Sequence, residues 1–153
     1  MSSEVDSAVA NLLHPNAYHP CLLLVHPQIR RLEIAAQELA NRDGWHHISA
    51  GRELAAALFS EPAAERAYRA REWVETAIGA AAPGPLLLTE IDLLFEPSLH
   101  LDVLALMRQA SRTTRLVVAW PGTFENGTLA YAVPEHHHYR TWPRPEVRIV
   151  TLD

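Results

Sequence analysis

Leu86-Leu87-Leu88-Thr89-Glu90-Ile91-Asp92-Leu93-Leu94-Phe95 opens the stretch that decides the fold, and Leu116-Val117-Val118-Ala119-Trp120-Pro121-Gly122 closes it. Between them lie a strongly apolar segment and Ser111-Arg112. Two continuous apolar runs therefore flank a helical segment. Runs of this kind are strands covered on both faces, and such strands belong to parallel sheets. The first run ends in two carboxylates, Glu90 and Asp92. In an open parallel sheet ligands bind at the carboxyl ends of the strands. The acids thus fall on the edge where a site belongs.

Working outward, the same alternation continues in both directions. Ser3, with Asp6 three residues on, can cap a helix whose face is Val5, Ala8, Val9, Leu12 and Leu13. A linker through Tyr18 and His19 leads to a first strand, Cys21 to Val25. A helix over about 28–42 follows, closed by Asp43-Gly44 with Gly as the left-handed cap. Trp45 to Ser49 reads as a second strand, Gly51 to Phe59 as a short helix, and the segment from Pro62 to about Ala81 as a longer one. The third strand is expected over Leu86–Ile91, a helix after Pro97, the fourth strand over Arg115–Trp120 and the fifth over Val147–Leu152. Residues 121–145 are rich in breakers, with a tight turn expected at Asn126-Gly127 inside a small hairpin from Thr123 to Ala132. The expectation is one α/β domain over residues 1–153, a three-layer sandwich with a mainly parallel five-stranded sheet.

Composition narrows the function classes. At 153 residues and 48% hydrophobic, the chain can bury a proper core. No apolar run reaches the ~18 residues of a membrane span, and the N-terminus lacks a signal-peptide pattern. A cytoplasmic protein with no membrane partner is expected. The single cysteine, Cys21, begins an apolar run and reads as a buried structural thiol. The formal net charge of -5 disfavours autonomous DNA binding. All 13 basic residues are arginine. Without lysine there is no Schiff base, no lysine general base and no P-loop lysine.

The element order is nevertheless that of a P-loop NTPase. A phosphate loop after Val25 would place Gly at 26 and 31, Lys at 32 and Ser or Thr at 33; the chain has His26, Arg31, Leu32 and Glu33. The spacing fits and the residue types do not. Glu33 would repel a phosphate by several kcal/mol at ~4 Å and an effective dielectric of ~20. Arg30 or Arg31 could hold an anion differently. Thr89-Glu90 occupies the register of a magnesium-binding acid, with Asp92 on the same face if the strand continues. The pair reads either as a metal- or water-activating couple or as two solvated carboxylates. Arg112 is a candidate for reaching a neighbour's site, or a plain helix C-terminal charge. His136-His137-His138 lacks the further ligands a metal needs; His136 and His138 alone can share a side. No metal site is assigned.

The ordered set Leu88-Thr89-Glu90-Ile91-Asp92-Leu93-Leu94-Phe95-Glu96-Pro97, Ser111-Arg112, Trp120-Pro121-Gly122, Leu129-Ala130-Tyr131-Ala132 and Pro134 to Tyr139 resembles BrxF, the small P-loop-containing family of type 3 BREX bacteriophage-exclusion systems. The resemblance implies a P-loop NTPase-like fold, here degenerate. It also implies a role in antiphage defence beside a DNA methyltransferase, a phosphatase-like protein and large ATPases. The expected function is a non-catalytic subunit or adaptor of such a complex, bound to a large ATPase subunit, with DNA reached only indirectly. Self-association is an open alternative. The candidate partner surface is the apolar helix 99–107 together with Trp120, Phe124, Tyr131, Tyr139 and Trp142, which read either as interface aromatics or as packing beneath a long loop. No cofactor is expected. The rival readings are an ATPase or GTPase using Arg30 or Arg31, Glu90 and magnesium, and a DNA-binding module using Arg66, Arg69, Arg71 and Arg112.

Overall fold

The computed structural model describes residues 3–17 and 20–153. Tyr18 and His19 of the expected linker lie outside the described residues. The elements are α1 (Ser3–Leu13), β1 (Cys21–His26), α2 (Ile29–Ala40), β2 (His46–Ser49), α3 (Ala50–Leu58), α4 (Ala63–Ala80), β3 (Leu86–Thr89), α5 (Val103–Ala110), β4 (Leu116–Glu125), β5 (Thr128–Tyr131), β6 (Arg140–Pro143) and β7 (Arg148–Thr151). Two 3-10 turns, Asp92–Phe95 and Pro97–Leu99, join β3 to α5.

Five strands are parallel, in the order β2-β3-β4-β1-β7. They are the five expected strands, four of them on apolar runs and β2 on the more polar His46–Ser49. The strands of β1 and β4 pair from Cys21↔Leu116 to His26↔Pro121. Alternation then sorts their side chains. Leu22, Leu24, Leu87, Val117 and Val150 face α1 and α2. Cys21, Leu23, Val25, Leu86, Leu88, Leu116 and Val118 face α3, α4 and α5. The two helical layers follow from chain direction. The connection from β1 runs out to the β2 edge, and those from β2 and β3 run back. Right-handed crossovers in opposite directions put their helices on opposite faces.

Two features depart from the expected five-stranded sheet. First, residues 121–145 add two antiparallel strands, β5 and β6. At Pro121 the strand β4 stops pairing with β1, and from Gly122 it pairs antiparallel with β5. Asn126 (φ 52) and Gly127 (φ 76) make the turn, as the Asn-Gly pair predicts. β6 then pairs with β5, which brings the sheet to seven strands. Second, the helix after Pro97 begins only at Val103, where Asp102 accepts the Ala105 N–H at 3.1 Å. Proline there starts a 3-10 turn instead.

The apolar side chains of segment 99–107, expected either to be buried or to meet a partner, turn into the domain's own core. Leu99, Leu101, Val103, Leu104, Leu106 and Met107 are all buried against α4 and the sheet. An all-round apolar helix is satisfied here by the domain's own core. Cys21 is buried as expected, and burial pushes its thiol up from an ordinary 9.0 to about 12, offset in part by Arg108. A raised folded-state pKa stabilises the fold fully below the unfolded value and loses that contribution as pH rises from 9.0 towards about 12. Native protein is therefore expected to be inert to a thiol-reactive dye at about pH 8 and fully reactive in denaturant. Its melting temperature should begin to fall above pH 9. Rapid labelling of the native thiol would contradict the buried position. Among the described residues no helix is long and apolar enough to cross a membrane.

Candidate functional site

A crevice opens at the carboxyl ends of the parallel strands, where the chain leaves β1 for one face and β2 and β3 for the other. It encloses about 940 Å³. One wall is α2, with Ile29, Leu32, Glu33, Ala36 and Gln37. The other is the tips of β2 and β3 and the start of α3, with His47, Ser49, Gly51, Arg52, Thr89, Glu90 and Asp92. Ala119 and Pro121 of β4 close the base.

Glu90 does not continue β3. Its backbone is left-handed (φ 54), so the strand ends at Thr89 and the chain turns away. Glu90 and Asp92 therefore do not share a strand face, contrary to the expectation from alternation. Both line the crevice, each held by a separate long-range hydrogen bond. The Ser49 hydroxyl donates to Glu90 Oε2. The Tyr131 hydroxyl donates to Asp92 Oδ1 at 2.7 Å. Burial, and then this bond to a carboxylate, hold the Tyr131 phenol well above its ordinary range. Gly51 packs against Glu90: a Cβ there would stand 3.3 Å from the Glu90 carbonyl oxygen and 3.4 Å from its Cβ. Beside this pair, His47 Nε2 and Thr89 Oγ1 are 2.9 Å apart.

The residues of the expected phosphate loop are dispersed. β1 ends at His26 and α2 begins at Ile29, so only Pro27 and Gln28 intervene. The expected spacing match fails, because Arg31, Leu32 and Glu33 already belong to the helix. The His26 ring nitrogen Nδ1 accepts the Gln28 N–H at 2.9 Å. The Arg31 and Leu32 N–H groups both turn to the Gln28 carbonyl. Arg30 is exposed and lies outside the crevice lining. Arg31 donates to the Asp153 carbonyl at 3.1 Å, away from the acids. Leu32 is buried. Of this group Leu32 and Glu33 line the crevice with Glu90 and Asp92, and Glu33 brings a third negative charge. These residues do not fit a triphosphate: a curled run of backbone N–H groups is absent and the nearby charge has the wrong sign.

Arg112 lies elsewhere. It lines a small cleft with Cys21, Arg108, Ser111 and Glu146. Cys21 is the first residue of β1, so this cleft is at the amino ends of the strands, opposite the crevice. The arginines of α4 are largely engaged within the molecule. Arg69 pairs with Glu61 and Glu72, Arg71 with Glu75, and Arg66 donates to the Glu61 carbonyl. The charges of Arg69 and Arg71 are thus paired with carboxylates, while Arg66 meets only a carbonyl.

Of the five aromatics, only Tyr139 is exposed. Trp120 and Tyr131 are buried, and Phe124 and Trp142 pack half-buried against the core. Most of them pack within the domain. Phe95 stacks on Tyr131 (3.6 Å between centroids, 6° between planes) and meets Trp120 edge-on at 5.2 Å. The Trp142 indole donates to Asp102 at 3.1 Å. Arg140 donates to the Leu101 and Phe95 carbonyls at 2.7 and 3.0 Å. The β5–β6 extension thus clamps the loop that carries Asp92. His136 and His138 do share a side, with ring centroids 5.5 Å apart. Among the described residues no group of three His, Cys, Asp or Glu is arranged to hold a metal ion.

Sequence reasoning missed Ser49, His47, Gly51 and Arg52 as lining residues. The available signal was the strand-to-helix junction Ile48-Ser49-Ala50-Gly51, whose small residues mark a close approach. Comparison with family models, curated proteins and solved structures gives no match for this chain.

Proposed function

We propose that this chain is a non-catalytic subunit or adaptor of a BREX-type antiphage complex, built on a P-loop-like domain that has lost its phosphate site. The observation that carries the non-catalytic reading is the two-residue connection from β1 to α2. A phosphate cradle needs a longer, glycine-rich turn at that point. The acid-lined crevice points the same way. The ordered motifs from Leu88 to Tyr139 supply the link to phage exclusion, and the partner they suggest is a large ATPase subunit.

Calorimetric titration with ATP, ADP and GTP in the presence of magnesium tests the central point. No binding tighter than about 100 μM is expected, which is roughly 5.5 kcal/mol. Tighter binding that disappears in Glu90→Gln or Arg31→Ala would establish a nucleotide-binding protein instead. Copurification with the large ATPase of a BREX system is expected, and its consistent absence would remove the adaptor assignment. The paired arginines of α4 give the DNA-binding reading no comparable support.

A further inference from the structure

The crevice at the carboxyl ends remains to be explained once a triphosphate is set aside. At about 940 Å³ it has the size of a small-molecule site. Its apolar lining is Ile29, Leu32 and Ala36 on the α2 wall and Ala119 and Pro121 at the base. Its charge is one-sided. Glu33, Glu90 and Asp92 face one guanidinium, that of Arg52. Among the described residues no ion pair reaches any of the three carboxylates. Two of them are held in place by neutral donors, Ser49 on Glu90 and Tyr131 on Asp92. A carboxylate offers about four acceptor positions. One donor each therefore orients Glu90 and Asp92 and leaves them acceptor capacity. An anion would meet repulsion here, and a neutral apolar ligand would cover the carboxylates without pairing them, at a desolvation cost.

We infer that the crevice binds an organic cation: an ammonium or guanidinium group on an aliphatic stem. The head is held by Glu90 and Asp92, with Glu33 contributing from α2. The stem lies along the apolar lining of Ile29, Leu32, Ala36, Ala119 and Pro121. Charge-assisted hydrogen bonds fix the head, and the methylenes bury their area as they do in any basic side chain on an apolar surface. The inference rests on the non-nucleotide reading only in that the crevice must be open to such a ligand.

The chemistry has two sources, a free small cation or a basic side chain of a partner, and two probes separate them. Calorimetric titrations at low salt use agmatine for the first and an acetylated, amidated Gly-Arg-Gly tripeptide for the second. Binding of agmatine supports the inference and identifies a free metabolite-like ligand. Binding of the tripeptide alone supports it and identifies a partner's side chain. Glu90→Gln is expected to weaken binding about tenfold. Glu33→Gln, an exposed change on a helix that cannot unfold the domain, is expected to weaken it severalfold. Sodium chloride at about 0.5 M should weaken it severalfold as well. Failure of both probes at about 10 mM, with a normal thermal melt, overturns the inference, as does affinity unchanged in both variants. Either failure leaves the non-catalytic reading standing, since only nucleotide binding removes that.

Discussion

Gly122→Ala is expected to be among the most destabilising single substitutions in this domain. A Cβ at this position would lie 1.8 Å from the Ala130 carbonyl oxygen, 2.9 Å from the Ala130 carbonyl carbon and 3.2 Å from the Trp120 indole nitrogen. The first two are backbone atoms of the paired strand β5 and cannot swing aside. The indole N–H itself donates to the same carbonyl at 3.0 Å. Relief would have to break the β4–β5 pairing and the tryptophan bond together. The expected loss is more than about 4 kcal/mol, in the tail of single substitutions. Total stability of a domain this size is only about 5–15 kcal/mol. Gly127→Ala provides the control. A Cβ there has nothing within 4 Å and only its φ of +76 to contend with, so about 1–2 kcal/mol is expected. Urea melts of the two variants check the contrast. A Gly122→Ala melt within about 1 kcal/mol of the parent would contradict the close approach of Gly122 to the Ala130 carbonyl.

Phe95→Ala is the second large effect, expected at about 3–5 kcal/mol. Phe95 is fully buried and touches Trp120, Tyr131 and Trp142 with its ring. Removing it leaves a void among rigid aromatic neighbours that cannot collapse far. At about 2–4 °C per kcal/mol for a domain of this size, the melting temperature should fall by roughly 10 °C. The change also reaches the crevice. Phe95 lies on the loop that carries Asp92, and Tyr131 both stacks on Phe95 and bonds to Asp92. Phe95→Ala should therefore weaken cation binding even at temperatures where the domain is folded. Phe95→Leu, which restores most of the volume, is expected to recover more than half of the stability. Equal losses in both variants would place the effect in ring stacking and not in packing volume.

Much of this molecule was legible in its residues because burial on both faces leaves a plain mark. Leu22 to Val25, Leu86 to Leu88 and Leu116 to Trp120 are uninterrupted apolar runs, and all are central parallel strands. Asn126-Gly127 announced a hairpin because few other pairs adopt two successive positive φ angles at little cost. The absence of lysine and of loop glycines argued against a phosphate cradle without reference to any coordinate.

The site was less legible, because what brings its members together is long-range. Alternation placed Glu90 and Asp92 on one strand face, yet a left-handed backbone at Glu90 ends the strand first. Ser49 reaches Glu90 only because β2 pairs with β3 in a register that sets Ser49 against Thr89. Tyr131 reaches Asp92 only because the antiparallel extension folds back over the loop after β3. Composition could report that Trp120, Phe124, Tyr131 and Trp142 were aromatic, but not whether they faced solvent. Residue order by itself determined the parallel sheet, its helical layers and the missing phosphate-loop residues, since hydrophobic period and residue chemistry act locally. Tertiary structure alone decided where the carboxylates converge and which aromatics are buried, since both depend on strand pairings between residues far apart in the chain.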